Sequence, residues 1–136
     1  MATFNKVNSF VEAMAEKAHN LGSDQLVVAL TNTAHNSAWT QLSDLTEITY
    51  TNLSSRNITT SASAQTSGTY KLTLADLVLT ASGGSVGPFQ YVYIYNDTAT
   101  NDELIGYYDY GSAVTLADGD TLTIDFDGTN GVLTIA

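Results

Sequence analysis

Residues Gly83–Asp109 read GGSVGPFQYVYIYNDTATNDELIGYYD, and this stretch decides the fold. Between Phe89 and Tyr95 aromatic side chains alternate with Gln90 and two aliphatic residues, the period of two that predicts a β-strand. Both faces of this strand carry large side chains. The pattern therefore predicts a central strand with a core on one face and a second contact on the other. After a polar turn, Leu104–Tyr110 is predicted to return as its hairpin partner.

Tyrosine is concentrated in this hairpin, since six of the eight tyrosines lie between Tyr91 and Tyr110. A tyrosine ring favours burial while its hydroxyl needs a partner or water, so such residues favour half-wet contact surfaces. Two interpretations stay open: a sheet core whose hydroxyl groups reach solvent, or a tyrosine face that docks on another subunit. Together with the N-terminal segment, the second interpretation gives these candidate subunit-interface residues: Phe4, Val7, Phe10, Tyr91, Tyr93, Tyr95, Tyr107 and Tyr108.

The composition predicts one domain over residues 1–136 that folds without covalent staples. A chain of 136 residues is expected to bury roughly 68–70% of its unfolded surface. The absence of cysteine excludes disulfides and thiolate metal sites, and it fits a protein that matures in a reducing cytoplasm. No apolar run approaches the roughly 18–20 residues that span a bilayer, and residues 1–20 lack a signal-peptide core. We therefore expect a soluble, non-exported protein.

The charge balance argues against nucleic acid and membrane partners. Four Lys and Arg face fourteen Asp and Glu, for a net charge of −10. A nucleic-acid binder needs a cationic surface to displace counterions from phosphate, and four basic residues do not supply one. The same argument disfavours anionic membranes.

Residues 1–22 are predicted to form an N-terminal arm or helix. Apolar residues recur at helical spacing over Thr3–Leu21, with Ser9 as the N-cap, Glu12 closing a capping box and Gly22 ending the helix. Phe4 and Val7 ahead of the helix equally fit an extended arm that reaches a neighbouring subunit.

The rest of the chain has β character. A short apolar run within Asp24–Leu30 predicts a buried strand, and Thr121–Phe126 alternates with one wet face. The apolar phase slips at Ala75-Asp76, which predicts a bulge or a corner. Residues 127–131 are predicted to form a hairpin loop into a closing strand at 132–136. The chain is therefore predicted to be mainly β, an antiparallel sandwich or barrel of about seven to nine strands with one short N-terminal helix.

Residues 49–68 differ from the rest, because twelve of these twenty residues are Ser, Thr or Asn. Such a stretch buries little, so it predicts an exposed loop or edge strand, with part of it, around 57–64, pairing as a strand. Exposed Ser/Thr-rich edges also suit strand pairing between subunits.

From the sequence we select no catalytic residue, no metal site and no cofactor motif. Asp125–Asn130 resembles half of a calcium loop, but apolar residues stand where the later ligands belong, and Asp-Gly is an ordinary turn. His19 and His35 lack an i+4 partner. The acidic pairs Asp102/Glu103 and Asp118/Asp120 lie in predicted turns, where a solvated surface explains them better than glycosidase chemistry.

Several stretches resemble small structural proteins of tailed bacteriophages. They are TFNKVNSFVE at 3–12, HNLGSD at 19–24, VALTNTA at 28–34, GGSVGPF at 83–89, YNDTA at 95–99 and LIGYYDYG at 104–111. Residues 49–68 show no such resemblance.

The resemblance implies a non-enzymatic virion component, assembled in many copies in the host bacterial cytoplasm. Within that group we favour a capsid decoration (cement) protein, whose partners would be the major capsid protein, other virion proteins and further copies of itself. A tail, neck or fibre component is the first alternative. A carbohydrate-binding module that uses Tyr93, Tyr107 or Tyr108 as a stacking platform is the second.

Overall fold

The structure, a computed structural model, describes residues 2–136 and confirms a mainly β fold, with open, sandwich-like sheets and no closed barrel in that range. Met1, the first residue of the predicted N-terminal arm, lies outside these residues. The elements within them are β1 (Phe4–Lys6), α1 (Phe10–Ala15), β2 (Leu26–Thr31), a 3-10 turn (Leu42–Asp44), β3 (Thr60–Thr66), β4 (Thr69–Leu74), β5 (Leu77–Thr80), β6 (Val86–Asn96), β7 (Leu104–Leu116), β8 (Thr121–Ile124) and β9 (Leu133–Ile135).

The β6–β7 hairpin is the centre of a four-stranded sheet in the order β1-β7-β6-β2. All its pairings are antiparallel, with Tyr93 opposite Tyr107 and Ala29 opposite Tyr93. The predicted hairpin and the predicted central strand are both confirmed, and so is the buried strand within Asp24–Leu30, which is β2. The ladder between β6 and β7 shifts register between Val86 and Phe89, where Gly87 and Pro88 interrupt it.

Strand β6 is buried on both faces. Val92 and Ile94 are 0% exposed on the inner face, where the neighbouring Tyr108 ring lies 6.1 Å from Phe126. On the outer face Tyr93 is 0% and Tyr95 4% exposed. The outer face is covered by this chain's own segment 32–58, so its buried tyrosines make that second contact within the chain and not with another subunit.

Segment 47–58 closes the free edge of β2. Arg56 is the centre of this attachment: its Nη1 donates to the Val28 carbonyl at 2.6 Å, and its guanidinium lies 3.7 Å from the Tyr50 ring centroid. The Tyr50 hydroxyl accepts from Leu30 N at 2.9 Å and donates to a Glu47 carboxylate oxygen at 2.6 Å. The first half of the Ser/Thr-rich stretch is therefore attached to the sheet. The strand predicted around 57–64 is β3, at 60–66.

The two smaller sheets have the orders β3-β4-β9 and β5-β8. The chain leaves one and enters the other at Ala75-Asp76, so the predicted corner is confirmed. The predicted hairpin at 127–131 is wrong, because β8 pairs with β5 while β9 pairs with β4. The loop instead crosses between sheets, and Asp127 orders it by accepting from the backbone of Thr129 and Asn130.

The N-terminal helix is shorter than its periodicity predicts, six residues in place of nineteen. Residues 4–6 form β1 within this chain's own sheet, so the predicted arm to a neighbour is wrong for this segment. Ser9 is at the N-cap position, but its side chain makes no capping hydrogen bond. The helix ends at Ala15, and Gly22 is not its stop. The chain turns out of the helix at Lys17, which has a φ of 69°, and Ala18 N donates to Ala13 O at 2.8 Å.

Substituting Gly106 by Ala is expected to lower the free energy of unfolding by about 1–3 kcal/mol. Gly106 lies opposite Lys6, and a Cβ there would collide with the Phe4 ring and lie 2.7 Å from the Asn5 carbonyl oxygen. Urea unfolding measures the effect, and Gly128→Ala is the control, because no atom lies within 4 Å of that added carbon. Equal stability of the two variants would contradict the packing of β1 on β7.

Substituting Lys17 by Gly is expected to raise the free energy of unfolding by about 0.5–1 kcal/mol, because glycine adopts a positive φ without a Cβ penalty. Glu16→Gly, one residue earlier at a φ of −97°, is expected to lower it. Thermal unfolding of both variants checks the pair. A loss of stability in Lys17→Gly would place the end of the helix elsewhere.

Candidate functional site

Four aromatic side chains gather on the outer face of the four-stranded sheet, and we call them the aromatic cluster: His35, Trp39, Tyr93 and Tyr107. The two tyrosines are cross-strand partners on β6 and β7. Strand alternation places directly opposite residues on the same face. His35 and Trp39 come from the polar stretch after β2, which folds back over the tyrosines.

The cluster is held by stacking and by one hydrogen bond. The His35 ring stacks on Tyr107 with centroids 4.2 Å apart and an interplanar angle of 22°, and Tyr93 stacks on Tyr107 at 5.2 Å. His35 Nδ1 and the Tyr93 hydroxyl are hydrogen-bonded at 2.7 Å. Trp39 meets the His35 ring edge-on at 5.9 Å. These contacts fix each ring from at least one side, so the cluster is ordered before any partner arrives.

The cluster carries no charge at neutral pH. Burial lowers the pKa of His35 below its usual 6.5, which keeps the ring neutral. Burial also raises the pKa of the Tyr93 hydroxyl, and the nearby Tyr107 and Tyr91 hydroxyls raise it further. On a chain of net charge −10, the cluster is therefore an uncharged surface.

Only part of the cluster reaches solvent. Tyr93 is 0% exposed, whereas His35, Trp39 and Tyr107 are half-buried, as is Tyr91 two residues before Tyr93. Half-buried aromatic rings on a stiff sheet present apolar area with little conformational entropy left to lose. The arrangement is suited to contact with another macromolecule.

The structure divides the eight predicted interface residues into two groups. Val7, Phe10, Tyr93, Tyr95 and Tyr108 are 0–5% exposed and pack in this chain's own core, so they are not available to a partner. Phe4, Tyr91 and Tyr107 are half-buried. Phe4 lies on the opposite face of the sheet, edge-on to Tyr108 at 5.7 Å. Only Tyr91 and Tyr107 thus remain interface candidates on the outer face.

Sequence reasoning missed His35 and Trp39 as members of the site. The two residues lie in a polar, irregular stretch that packs on distant strands, and His35 bonds to a residue 58 positions away. One signal was present: Trp39 is the only tryptophan, and it stands in a segment with few other large apolar residues.

A second constellation lies at the other end of the sheet, around Asn96. Its Oδ1 accepts from Thr98 N and Ala99 N, which turns its Nδ2 toward Asp24 Oδ2 at 2.7 Å and His19 Nδ1 at 3.0 Å. His19 Nδ1 must accept this bond, so the proton of the neutral ring is on Nε2. The network ties the segment after α1 to the end of β6.

His19 lies against an open groove of about 850 Å³. The groove runs between residues 14–24, the β3–β4 hairpin and residues 98–103, and Ile135 closes one side. Within residues 2–136, the buried atoms His19 Nε2 and Glu103 Oε2 have no hydrogen-bond partner. Neither atom is exposed to solvent, so the groove wall in this conformation offers these two groups to no ligand.

Several acidic residues considered for catalysis or calcium binding accept hydrogen bonds from backbone N–H groups in the loops. Asp118 accepts from Gly83 N at 2.9 Å, and Asp120 accepts from Ala117 N at 3.0 Å. Asp127 binds Asn130 through both carboxylate oxygens. Across residues 2–136 no three His, Asp or Glu side chains are grouped so as to hold a metal ion.

The free energy of unfolding is expected to fall as the pH drops below 6.5. Burial lowers the pKa of His19, and the raising effects of Glu103 and Asp24 are smaller, so the unfolded chain binds the proton more readily. The stability is present above the unfolded pKa of 6.5 and is lost as pH falls toward the lower folded value. Urea unfolding between about pH 7.5 and about pH 5.5 measures this slope.

His19→Gln should flatten that slope, while His35→Gln should change it less, because His35 is the more exposed ring. A direct titration of the two rings by NMR checks the assignment. A His19 ring that titrates above 6.5 would contradict the network around Asn96.

No helix in residues 2–136 has the length and apolar character needed to cross a membrane. Searches of protein-family models, of curated proteins and of solved structures return no match to this chain.

Proposed function

We propose that this chain is a non-enzymatic structural protein of a bacteriophage virion. Within that class we propose a capsid decoration (cement) protein, bound to the outer surface of the head and stabilising it, with the major capsid protein as its partner and further copies of itself as neighbours. The proposal starts from the sequence resemblance to small virion proteins in stretches within residues 3–34 and 83–111.

The aromatic cluster is the observation that carries the proposal. Trp and Tyr dominate the binding energy of protein interfaces, where they anchor in pockets of the partner. Here Trp39 and Tyr107 are half-exposed, uncharged and fixed by His35, so docking them costs little further ordering. A modest contact of this kind becomes strong when it is repeated over many copies on one shell.

The charge of the chain fits the outside of a DNA-filled head. Fourteen acidic residues against four basic ones leave no cationic surface for packaged DNA. Two of the four basic residues also act within the fold, since Arg56 clamps segment 47–58 and Lys71 Nζ donates to the Thr129 carbonyl at 3.0 Å. The remaining surface repels nucleic acid.

The two alternatives fare differently. A tail, neck or fibre component would use the same aromatic cluster and differ in copy number. A carbohydrate-binding module needs a free aromatic ring face, and Tyr93 and Tyr108 are buried while His35 stacks on Tyr107. Within the aromatic cluster, Trp39 is the remaining ring for such stacking, so the sugar-binding interpretation has less support.

Trp39→Ala and Tyr107→Ala are each expected to weaken binding to heads that lack this protein by about thirtyfold, the equivalent of about 2 kcal/mol at a binding hot spot. The heads are assembled from the major capsid protein of the same phage, and bound chain is measured by co-sedimentation. Val78→Ala is the matched control, because Val78 is an exposed apolar residue on β5, away from the cluster.

Binding in many copies per head supports a decoration protein, and a few copies per particle would indicate a tail, neck or fibre position. Trp39 is the only tryptophan, so its fluorescence reports directly on the cluster. Quenching of that fluorescence by glycans, with no binding to any phage particle, would overturn the proposal in favour of sugar binding.

A further inference from the structure

We infer that two copies of this chain join edge to edge through β3, in an antiparallel pair centred on Ala64. This inference rests on the homo-oligomeric part of the proposed function and names its surface, which is distinct from the aromatic cluster.

Strand β3 is an open edge of its sheet. It pairs with β4 on one side only, and within residues 2–136 no backbone hydrogen bond reaches its other side. Its seven residues, TSASAQT, include no charge and no proline. Proteins ordinarily protect long edge strands with charged residues, proline, bulges or short length. Of these, β3 has only a register shift at its start, between Thr60 and Ala62, outside the segment 63–65.

The β3–β4 turn determines which backbone groups face outward. Ser67 and Gly68 form a two-residue turn with φ values of 51° and 85°, as in a type I′ hairpin, so Thr66 and Thr69 are a hydrogen-bonded pair. Hydrogen-bonded and non-hydrogen-bonded pairs alternate along the ladder, so Ala64 and Lys71 are also a hydrogen-bonded pair. The N–H and C=O groups of Ser63 and Gln65 therefore point away from β4.

The neighbouring ladder supports this alternation. Leu72 pairs with Ser63, and its carbonyl accepts from Val132 N at 2.8 Å on the β9 side of β4. The backbone groups of Leu72 thus face away from β3, as those of its partner Ser63 face away from β4.

These outward groups are self-complementary. In a two-fold antiparallel pair centred on Ala64, Ser63 of each copy lies opposite Gln65 of the other, and the two pairs exchange four backbone hydrogen bonds. Ala64 faces its own copy at the closest Cα approach, where a small side chain fits. The result is one continuous six-stranded sheet in the order β9-β4-β3-β3-β4-β9.

Charge favours this edge over others on an acidic protein. β3 is uncharged, and the nearest charged group along the sheet is Lys71 on β4. Two copies of Lys71 would lie about three strand spacings apart, about 14 Å, beyond the screening length of about 8 Å at physiological salt. Two chains of net charge −10 therefore meet here without opposing like charges.

The other sheet edges are less suited to pairing. β1 and β9 have three residues each, and β5 and β8 have four each. The outer edge of β2 is bonded to Arg56, Ile58 and Ile48. β7 extends beyond β1, but there its register with β6 shifts and Asp109 adds a charge.

A charge-swap experiment tests the inference. Sedimentation of the full chain, up to about 1 mM, should show a dimer, because a contact of millimolar Kd is half assembled at that concentration. Ala64→Lys and Ala64→Glu should each weaken dimerisation at least tenfold, because like charges then meet at the two-fold axis. An equimolar mixture of the two variants should restore it. Ala64 is exposed, so both variants should keep their fold by circular dichroism.

A second variant tests the hydrogen bonds themselves. Gln65→Pro removes an N–H that the β3–β4 ladder does not use, so it should weaken dimerisation. It also removes the hydrogen bond from Gly68 N to Gln65 Oε1, so Gln65→Ala, which loses that bond but keeps the N–H, is its control and should leave dimerisation unchanged. A wild-type chain that stays monomeric to about 1 mM would overturn the inference. So would a dimer that Ala64→Lys leaves unchanged, since another surface would then form it. Head binding by Trp39 and Tyr107 is measured separately, so failure of either proposal is seen on its own.

Discussion

The fold depends on burying strand β6 on both of its faces. The inner face is aliphatic and joins the core between the sheets, whereas the outer face is built from tyrosines. A buried tyrosine needs a partner for its hydroxyl, so purely apolar material does not suffice to cover that face. The chain meets this need with its own segment 32–58, in which His35 bonds Tyr93.

The same segment closes the edge of β2 through Arg56 and Tyr50. An irregular stretch rich in Ser, Thr and Asn therefore covers the outer face of the sheet. Its contacts with β2 and β6 keep it ordered. The aromatic cluster is a product of this arrangement: the rings that seal β6 are also those that remain half-exposed above it. The same three residues therefore have both a structural role and a candidate functional role: His35, Trp39 and Tyr107.

The sequence predicts the parts of the fold that local periodicity determines. The alternation in β6 and β7 and the apolar run in β2 are strong, and these strands were predicted with their pairing or burial. The helix was overestimated because apolar spacing continues past Lys17, where the backbone turns to place His19 beside Asn96, 77 residues away. β1 was read as an arm because three residues carry almost no pattern, and its docking depends on Gly106.

The candidate site was predicted only in part for the same reason. The tyrosines were identified, but their burial depends on a cover that no local pattern reports. The position of segment 32–58 decides whether a side chain such as Tyr95 is enclosed in the core or available to a partner. That position depends on long-range contacts.

The interleaving of the terminal strands has a consequence for how quickly the chain folds. β1 near the start pairs with β7, and β9 at 133–135 pairs with β4, so each of these two sheets joins segments that are far apart in sequence. Such a fold has a high contact order, because long loops must close before their contacts stabilise anything, and antiparallel β domains of this kind fold in milliseconds to seconds. Until β9 arrives, the β3–β4 hairpin has two open edges, so nascent chains are most prone to mispairing during this interval.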